Sequence, residues 1–246
     1  VLCDLARNNF SVLGLNHILV HQADGIDYLQ QMDKVDCLFL DPARRDGNGG
    51  KTVAISDCEP DVCRLEPLLV EKGGVVMVKL SPMLDMASAL NDLKNVRQVH
   101  VVAVNNECKE LIILLEKPKY TADNIDNEKT IVCEQVVNNS ASQHFSYTLS
   151  EEKNAVCTIA DKVGTYLYEP GAALLKAGPY KLLSARYGVG KLHPNSHLYT
   201  SAQAVDFPGR CFRVIAVSGF GKKELKDFMK GVEKANLTIR NFPSSV

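Results

Sequence analysis

The chain is nearly without net charge: 28 Lys and Arg stand against 29 Asp and Glu in 246 residues, a net of −1. That balance excludes a protein held on nucleic acid or membrane by overall charge alone. Long apolar runs are missing as well. One of the longest, residues 111–115 (LIILL), falls far short of the ~18 residues that a membrane helix needs. Nothing at the front has the layout of a signal peptide. No Cys-x-x-Cys pair occurs among the eight cysteines, which lie far apart in a chain that is 46% hydrophobic. Such a chain can bury a core without cross-links, so the sequence predicts reduced thiols and a cytoplasmic protein of one large or two smaller domains.

Charge is uneven along the chain. Residues 1–118 carry 12 basic against 17 acidic side chains, and residues 119–246 carry 16 against 12. The polar, unperiodic segment 118–129 (PKYTADNIDNEK) is the best linker candidate. In the first half, helical spacing is expected over residues 2–13, 26–32, 61–71 and 86–93. Apolar runs at 17–21 (HILVH), 35–40 (VDCLFL), 74–80 (GVVMVKL), 99–104 and 110–115 predict strands, the last two closing a hairpin through residues 105–109. Strands alternating with helices predict a doubly wound α/β sheet covered on both faces. One feature of such sheets is absent: no strand–glycine–helix fingerprint lies beside residues 1–13. The chain opens at Val1 inside a helix, so a first strand, glycine loop, first helix and second strand are expected to precede it. Its ending at residues 241–246 (NFPSSV) likewise suggests a last domain cut short.

Ligands of these sheets lie at the carboxyl ends of the strands. Three neighbouring strand ends carry polar residues: Asp24-Gly25, Asp41-Pro42, and Lys79 with Ser81-Pro82. Asp24 suits an amino group on a flat ring, or equally the N-cap of the helix that follows. The sharpest feature is Asp41-Pro42-Ala43-Arg44-Arg45. A proline just past a strand fixes a rigid turn and pushes Asp41 towards extended backbone. The two arginines then suit phosphate or carboxylate.

Together, the segments LARNNFSVLGL, HILVHQADG, FLDPARRD, KLSPMLD and VNNECKEL resemble class I S-adenosylmethionine-dependent methyltransferases. The closer resemblance is to the bacterial type with a C-terminal THUMP-like domain. It implies a Rossmann-like methyltransferase sheet, truncated at its start, over residues 1–118. A small α+β ferredoxin-like linker domain would follow at 119–205, and part of a THUMP-like domain at 206–246. It further implies that Asp24 and Gly25 hold the adenine of S-adenosylmethionine. The loop of Asp41, Pro42 and Arg44 would then face the methyl-accepting atom, with Asp41 also touching the cofactor and orienting the acceptor or taking its proton. Ala43 departs from relatives with a second proline, and Arg44 replaces the aromatic of base-stacking enzymes. Arg44, Arg45, Lys79, Ser81 and Pro82 would contact the substrate. Carbon methylation of a pyrimidine would need a cysteine nucleophile. None stands in the 79–82 loop, so transfer to nitrogen or oxygen is expected.

Two further motifs complete the reading. Residues 218–223 follow an expected strand at 212–217 and open a helix in which Leu225, Phe228, Met229 and Val232 form an apolar stripe. On its other side Lys222, Lys226, Lys230 and Lys234 recur every four residues. Lysines so spaced repel one another, which suggests contact with a polyanion such as RNA, or else a solvated face. The pairs His17/His21 and His193/His197, and Cys58 with Cys63, have spacings met in metal sites, but no set of ligands comes together and no metal is expected. The glycines of 47–50 read as a loop rather than a phosphate cradle. The leading expectation is therefore an S-adenosylmethionine-dependent RNA methyltransferase. The alternative is a non-catalytic RNA-binding or assembly module on a degenerate sheet, with a dinucleotide-dependent dehydrogenase third.

Overall fold

A computed structural model describes residues 1–44, 54–117, 128–138, 142–219 and 221–236, with Arg44 described in its backbone only. In chain order the elements begin with α1 (Leu2–Val12), α2 (Gly25–Gln31), β1 (Val35–Leu40), β2 (Ala43–Arg44) and β3 (Cys58–Glu59). Next come α3 (Val62–Lys72), β4 (Gly73–Leu80), α4 (Met86–Asp92), β5 (Val96–Val104), β6 (Glu107–Leu115), β7 (Thr130–Val136), β8 (Gln143–Thr148) and α5 (Leu149–Asn154). The chain continues through β9 (Tyr166–Pro170), α6 (Ala172–Ala177), α7 (Tyr180–Tyr187), β10 (Gly190–Lys191), β11 (Tyr199–Ser201), β12 (Gly209–Arg213) and α8 (Lys222–Phe228). Helix starts are written in the sequence. Asp24, Asp61 and Asp85 accept backbone N–H bonds at the first turns of α2, α3 and α4, and Thr148 and Glu151 form a capping box on α5. Each such cap contributes about 1 kcal/mol.

Besides the two-stranded β2/β3 ladder, the described residues form two larger sheets, a mixed Rossmann-like α/β sheet and a smaller antiparallel ferredoxin-like part. The first has the order β1-β4-β6-β5-β7-β8, with β1/β4 and β5/β7 parallel. Strand β6 lies between β4 and β5 and runs against both. The expected hairpin is therefore real, but its turn is only Asn105-Asn106, at φ 49° and 63°. Asparagine tolerates that left-handed backbone better than most residues. Both side chains are also used at a distance: Asn105 Oδ1 accepts from Asn138 N (3.2 Å) and Asn106 Oδ1 from Ala172 N (2.9 Å). The sheet does not stop at residue 118, because β7 and β8 extend it; residues 118–127 of the expected linker lie outside the described residues.

One face of this sheet is closed. Val76, Val78, Leu80, Val99, Val101, Leu111, Ile113 and Leu115 alternate along their strands and join Val62 and Leu69 of α3, Leu90 of α4 and Leu174 of α6 in one core. Glu66 of α3 enters that core as a carboxylate, accepting from Lys94 N, Asn95 N and Asn95 Nδ2 at 2.6–3.1 Å. The opposite face corrects the expectation of a sheet covered on both sides. There, among the described residues, Val75, Met77, Ile112 and Leu114 stay partly exposed, and Cys37 and Phe39 of β1 are open. A second correction concerns residues 17–21, which are not a strand. A strand needs a ladder partner, and none of the described residues supplies one. Val20 O accepts from the Arg7 guanidinium (3.0 Å) instead, while Leu19 is 78% exposed.

The second sheet runs β10-β11-β9-β12, antiparallel throughout. Tyr168 and Tyr199 are wholly buried on it and pack on Phe207. Polar ties fix this part to the first sheet: Lys176 Nζ donates to Leu84 O (2.6 Å), Tyr147 Oη to Ala177 O (2.7 Å), and Arg186 to Ser146 O (2.7 Å). Past it, expectation and structure part again. The strand expected at 212–217 is β12, ending at Arg213, and α8 ends at Phe228. Leu225, Phe228, Met229 and Val232 are 37–46% exposed rather than buried. Lys222 and Lys226 sit on α8, whereas Lys230 follows it and Gly231, at φ 83°, turns the chain before Lys234. The four-residue lysine spacing thus never becomes one helical face.

Candidate functional site

A cleft of about 490 Å³ opens between α2, the end of β1 and α3, within the range of roughly 300–1,000 Å³ usual for small-molecule sites. Asp24, Gly25, Asp41 and Pro42 all line it. Two of the three polar strand ends expected from the sequence therefore meet in one cavity. The wall between them is apolar, with Leu29, Met32, Leu38, Leu40, Leu65 and Leu69, and Glu59-Pro60 close the far side.

Asp24 does cap α2, and it does so with one oxygen. Oδ1 accepts from both Ile26 N (2.8 Å) and Asp27 N (3.1 Å). Among the described residues nothing bonds Oδ2, so the carboxylate keeps an acceptor at the cleft while holding the helix. The cap and the ligand-facing role expected of this residue are thus compatible.

Asp41 is exposed at the cleft and Pro42 behind it is buried. Asp41 Oδ2 lies 2.6 Å from Lys79 Nζ, an ion pair joining the end of β1 to the end of β4. The hydrogen bond to Asp41 raises the Lys79 pKa, aided by its charge and that of Glu110 against desolvation, so Lys79 stays an ammonium. Ser81 and Pro82 form the turn after β4: Ser81 Oγ accepts from Met83 N (3.3 Å) and Ser81 O from Leu84 N (3.0 Å). They do not line the cleft. The backbone of Arg44 pairs with Cys58 in the β2/β3 ladder; its side chain, Arg45 and residues 47–50 lie outside the described residues. Lys222, Lys226 and Lys230 lie on or just after α8, which lines no part of this cleft.

The apolar wall and Glu59-Pro60 went unforeseen. Helical spacing gave α2 and α3 apolar stripes but not the cavity they border, and the β2/β3 ladder is too short to show any periodicity. No group of three or more His, Cys, Asp or Glu among the described residues could hold a metal ion. His193 Nδ1 accepts from Asn195 N, and His197 stacks on Tyr180 at 3.9 Å. No described helix is long and apolar enough to cross a membrane.

Comparison with known proteins adds two findings. Residues 166–208 match the family model of a ferredoxin-like domain. The crystal structure of a protein of Porphyromonas gingivalis W83, called a "putative methyltransferase", is similar at 37% sequence identity and a TM-score of 0.74, over 85% of this chain and 51% of that one. The chain thus spans about half the length of that relative. No curated protein matches the sequence.

Proposed function

We propose that this chain forms the later part of an S-adenosylmethionine-dependent methyltransferase, joined to a part that selects RNA. The observation that carries the reading is the meeting of Asp24 and Asp41 at one apolar-walled cleft, in a chain similar to a protein called a methyltransferase. The residues fit the cofactor: Asp24 Oδ2 is an acceptor for the amino group of adenine, and Leu29, Met32 and Leu40 offer a flat ring an apolar bed. S-adenosylmethionine, when bound, supplies a methyl group on a sulfonium that departs as a neutral thioether.

The protein's task in such a displacement is alignment, with help in removing a proton from the acceptor. Buried Pro42 fixes the direction of Asp41. Lys79 holds its Oδ2, and among the described residues nothing bonds Oδ1, which can accept a hydrogen bond from the attacking amino or hydroxyl group. Asp41 orients the acceptor nitrogen or oxygen, whose proton passes to Asp41 or to water as the bond to carbon forms. RNA as the substrate rests on the resemblance and on Lys222, Lys226, Lys230 and Lys234, on and after α8.

Calorimetric titration with S-adenosylhomocysteine tests the reading first. Saturable binding that Asp24→Ala weakens about tenfold is expected; no heat at millimolar ligand returns the chain to the non-catalytic RNA-binding alternative. With RNA and labelled cofactor, Asp41→Ala should lower methyl transfer about 100-fold or more while sparing cofactor binding. Unchanged turnover removes Asp41 from the mechanism. Lys→Glu changes at 222, 226 and 230 should weaken RNA binding and flatten its salt dependence.

A further inference from the structure

Three carboxylates line the cleft, and the roles given to Asp24 and Asp41 leave the third, Glu59, without one. Its side chain is exposed at the cleft, and among the described residues it makes no hydrogen bond or ion pair. The β2/β3 ladder sets its place: Glu59 stands opposite Ala43, and Asp41 lies two residues ahead of Ala43. Opposed residues of an antiparallel pair share a face, as do alternate residues of one strand, and diagonal neighbours of this kind have Cβ atoms about 7 Å apart. A nitrogen that donates to two carboxylates needs their oxygens about 5 Å apart. A short aspartate and a longer glutamate leaning together bridge that difference, so one group fits between Asp41 Oδ1 and Glu59.

We propose that Glu59 contacts the substrate and, together with Asp41, restricts the methyl acceptor to a primary amino group on a nucleobase. The inference rests on the proposed function and narrows it to one kind of atom. Hydrogen count decides. An exocyclic amino group has two hydrogens, one for each carboxylate, whereas a ribose hydroxyl or a ring N–H has one and leaves an acceptor unpaired in an apolar-walled cleft. Sites built to bond a polar group discriminate strongly against analogues that lack it. Two hydrogen bonds also fix the plane of the amino group, so its lone pair faces the methyl carbon, where a single bond would leave it free to rotate. As that lone pair forms the nitrogen–carbon bond, the carbon–sulfur bond breaks with its electrons kept by sulfur. One of the two nitrogen hydrogens leaves as a proton, to a carboxylate or to water. The product amine has a single hydrogen left and no longer matches both acceptors, so the reaction stops at one methyl.

Product analysis tests it. Total RNA from cells lacking the protein would be methylated with labelled S-adenosylmethionine, digested to nucleosides and read by mass spectrometry. A singly methylated base amino group is expected. Glu59→Ala should lower kcat about 10–100-fold while S-adenosylhomocysteine binds as before, and Glu59→Gln, which keeps a carbonyl acceptor, should stay within about fivefold of the unaltered protein. Methyl on a ribose oxygen or a ring nitrogen overturns the inference, as does a dimethylated amine as the main product. So does wild-type turnover in Glu59→Ala, or a Glu59→Gln variant as slow as Glu59→Ala. The product of the unaltered protein needs no variant, so the test stands even where Glu59→Ala fails to fold. No methyl transfer at all sinks the proposed function as well, whereas the other adverse results sink this inference alone.

Discussion

Helix α1 has eleven residues and buries none; helix α6 has six and buries Ala173, Leu174 and Ala177. Both have apolar residues at helical spacing. The difference is in what surrounds them. Asn106, 66 residues away in sequence, caps the first turn of α6, Lys176 ties it to Leu84 O, and the sheet lies beneath it. Helix α1 has an exposed Asp4–Arg7 pair and the reach of Arg7 to Val20 O. An apolar stripe therefore states that a helix requires a partner, and only tertiary structure shows whether it has one.

The largest effect should separate the two regions outright. Leu174→Ala, or Ile113→Ala at the centre of the sheet, should cost about 3 kcal/mol. Leu5→Ala in α1 should cost less than ~0.5 kcal/mol. Urea denaturation with an unchanged m-value would check both, and an equal cost at Leu5 would break the comparison. Polar interactions should divide the same way. Glu66→Ala strands three part-buried donors at Lys94 and Asn95, an expected loss of about 2 kcal/mol. Asp4→Asn at the exposed pair should fall within ~0.5 kcal/mol.

The smallest effect is chemical. Burial, with the charges of Asp61, Asp92 and Glu66 behind it, pushes the Cys63 thiol from its ordinary 9.0 to about 11; burial first, then Cys108 and Glu134, pushes Cys133 to about 12. At pH 9 the exposed Cys37 and Cys211 should alkylate faster than the part-exposed Cys63, and buried Cys133 slowest of the four. A thiol whose pKa is raised by folding contributes fully below pH 9.0, and the contribution fades as pH climbs through the folded value. Melting temperature should therefore fall gradually from pH 9 to 11, and less so in Cys63→Ala. A flat profile would mean that Cys63 is no better shielded than Cys37.

The same contrast explains what could be read from the sequence. The strands of β1, β4, β5 and β6 were legible because short segments rich in apolar residues, bounded by turns, leave little else to form. Residues 17–21 have the same composition and are not a strand, since pairing is a property of two segments and composition of one. The apolar stripe of α8 misled for the same reason. Asp41 stands at the end of β1, as the strand-end rule expects; Asp24 reaches the same cleft as the cap of α2, although no strand among the described residues precedes it. The cleft's apolar wall escaped notice because α2, β1 and α3 make it jointly, and Glu59-Pro60 because a two-residue ladder places it. Lys79 was marked for substrate; its pairing with Asp41 depends on β1 and β4 being neighbours, which spacing does not reveal.

The position of β6 carries a consequence for how the chain assembles during synthesis. Strands β4 and β5 precede β6 in the chain yet touch only through it. As the polypeptide emerges at about 5–20 residues per second, β4 must wait with an unsatisfied edge until the ribosome has passed Leu115. The tight Asn105-Asn106 turn shortens that wait, since β6 is delivered already zipped to β5 and the pair enters the vacancy as a unit. A nascent chain stalled before residue 107 would present β4 to any passing strand. The hairpin is therefore where synthesis commits this sheet to its own partners.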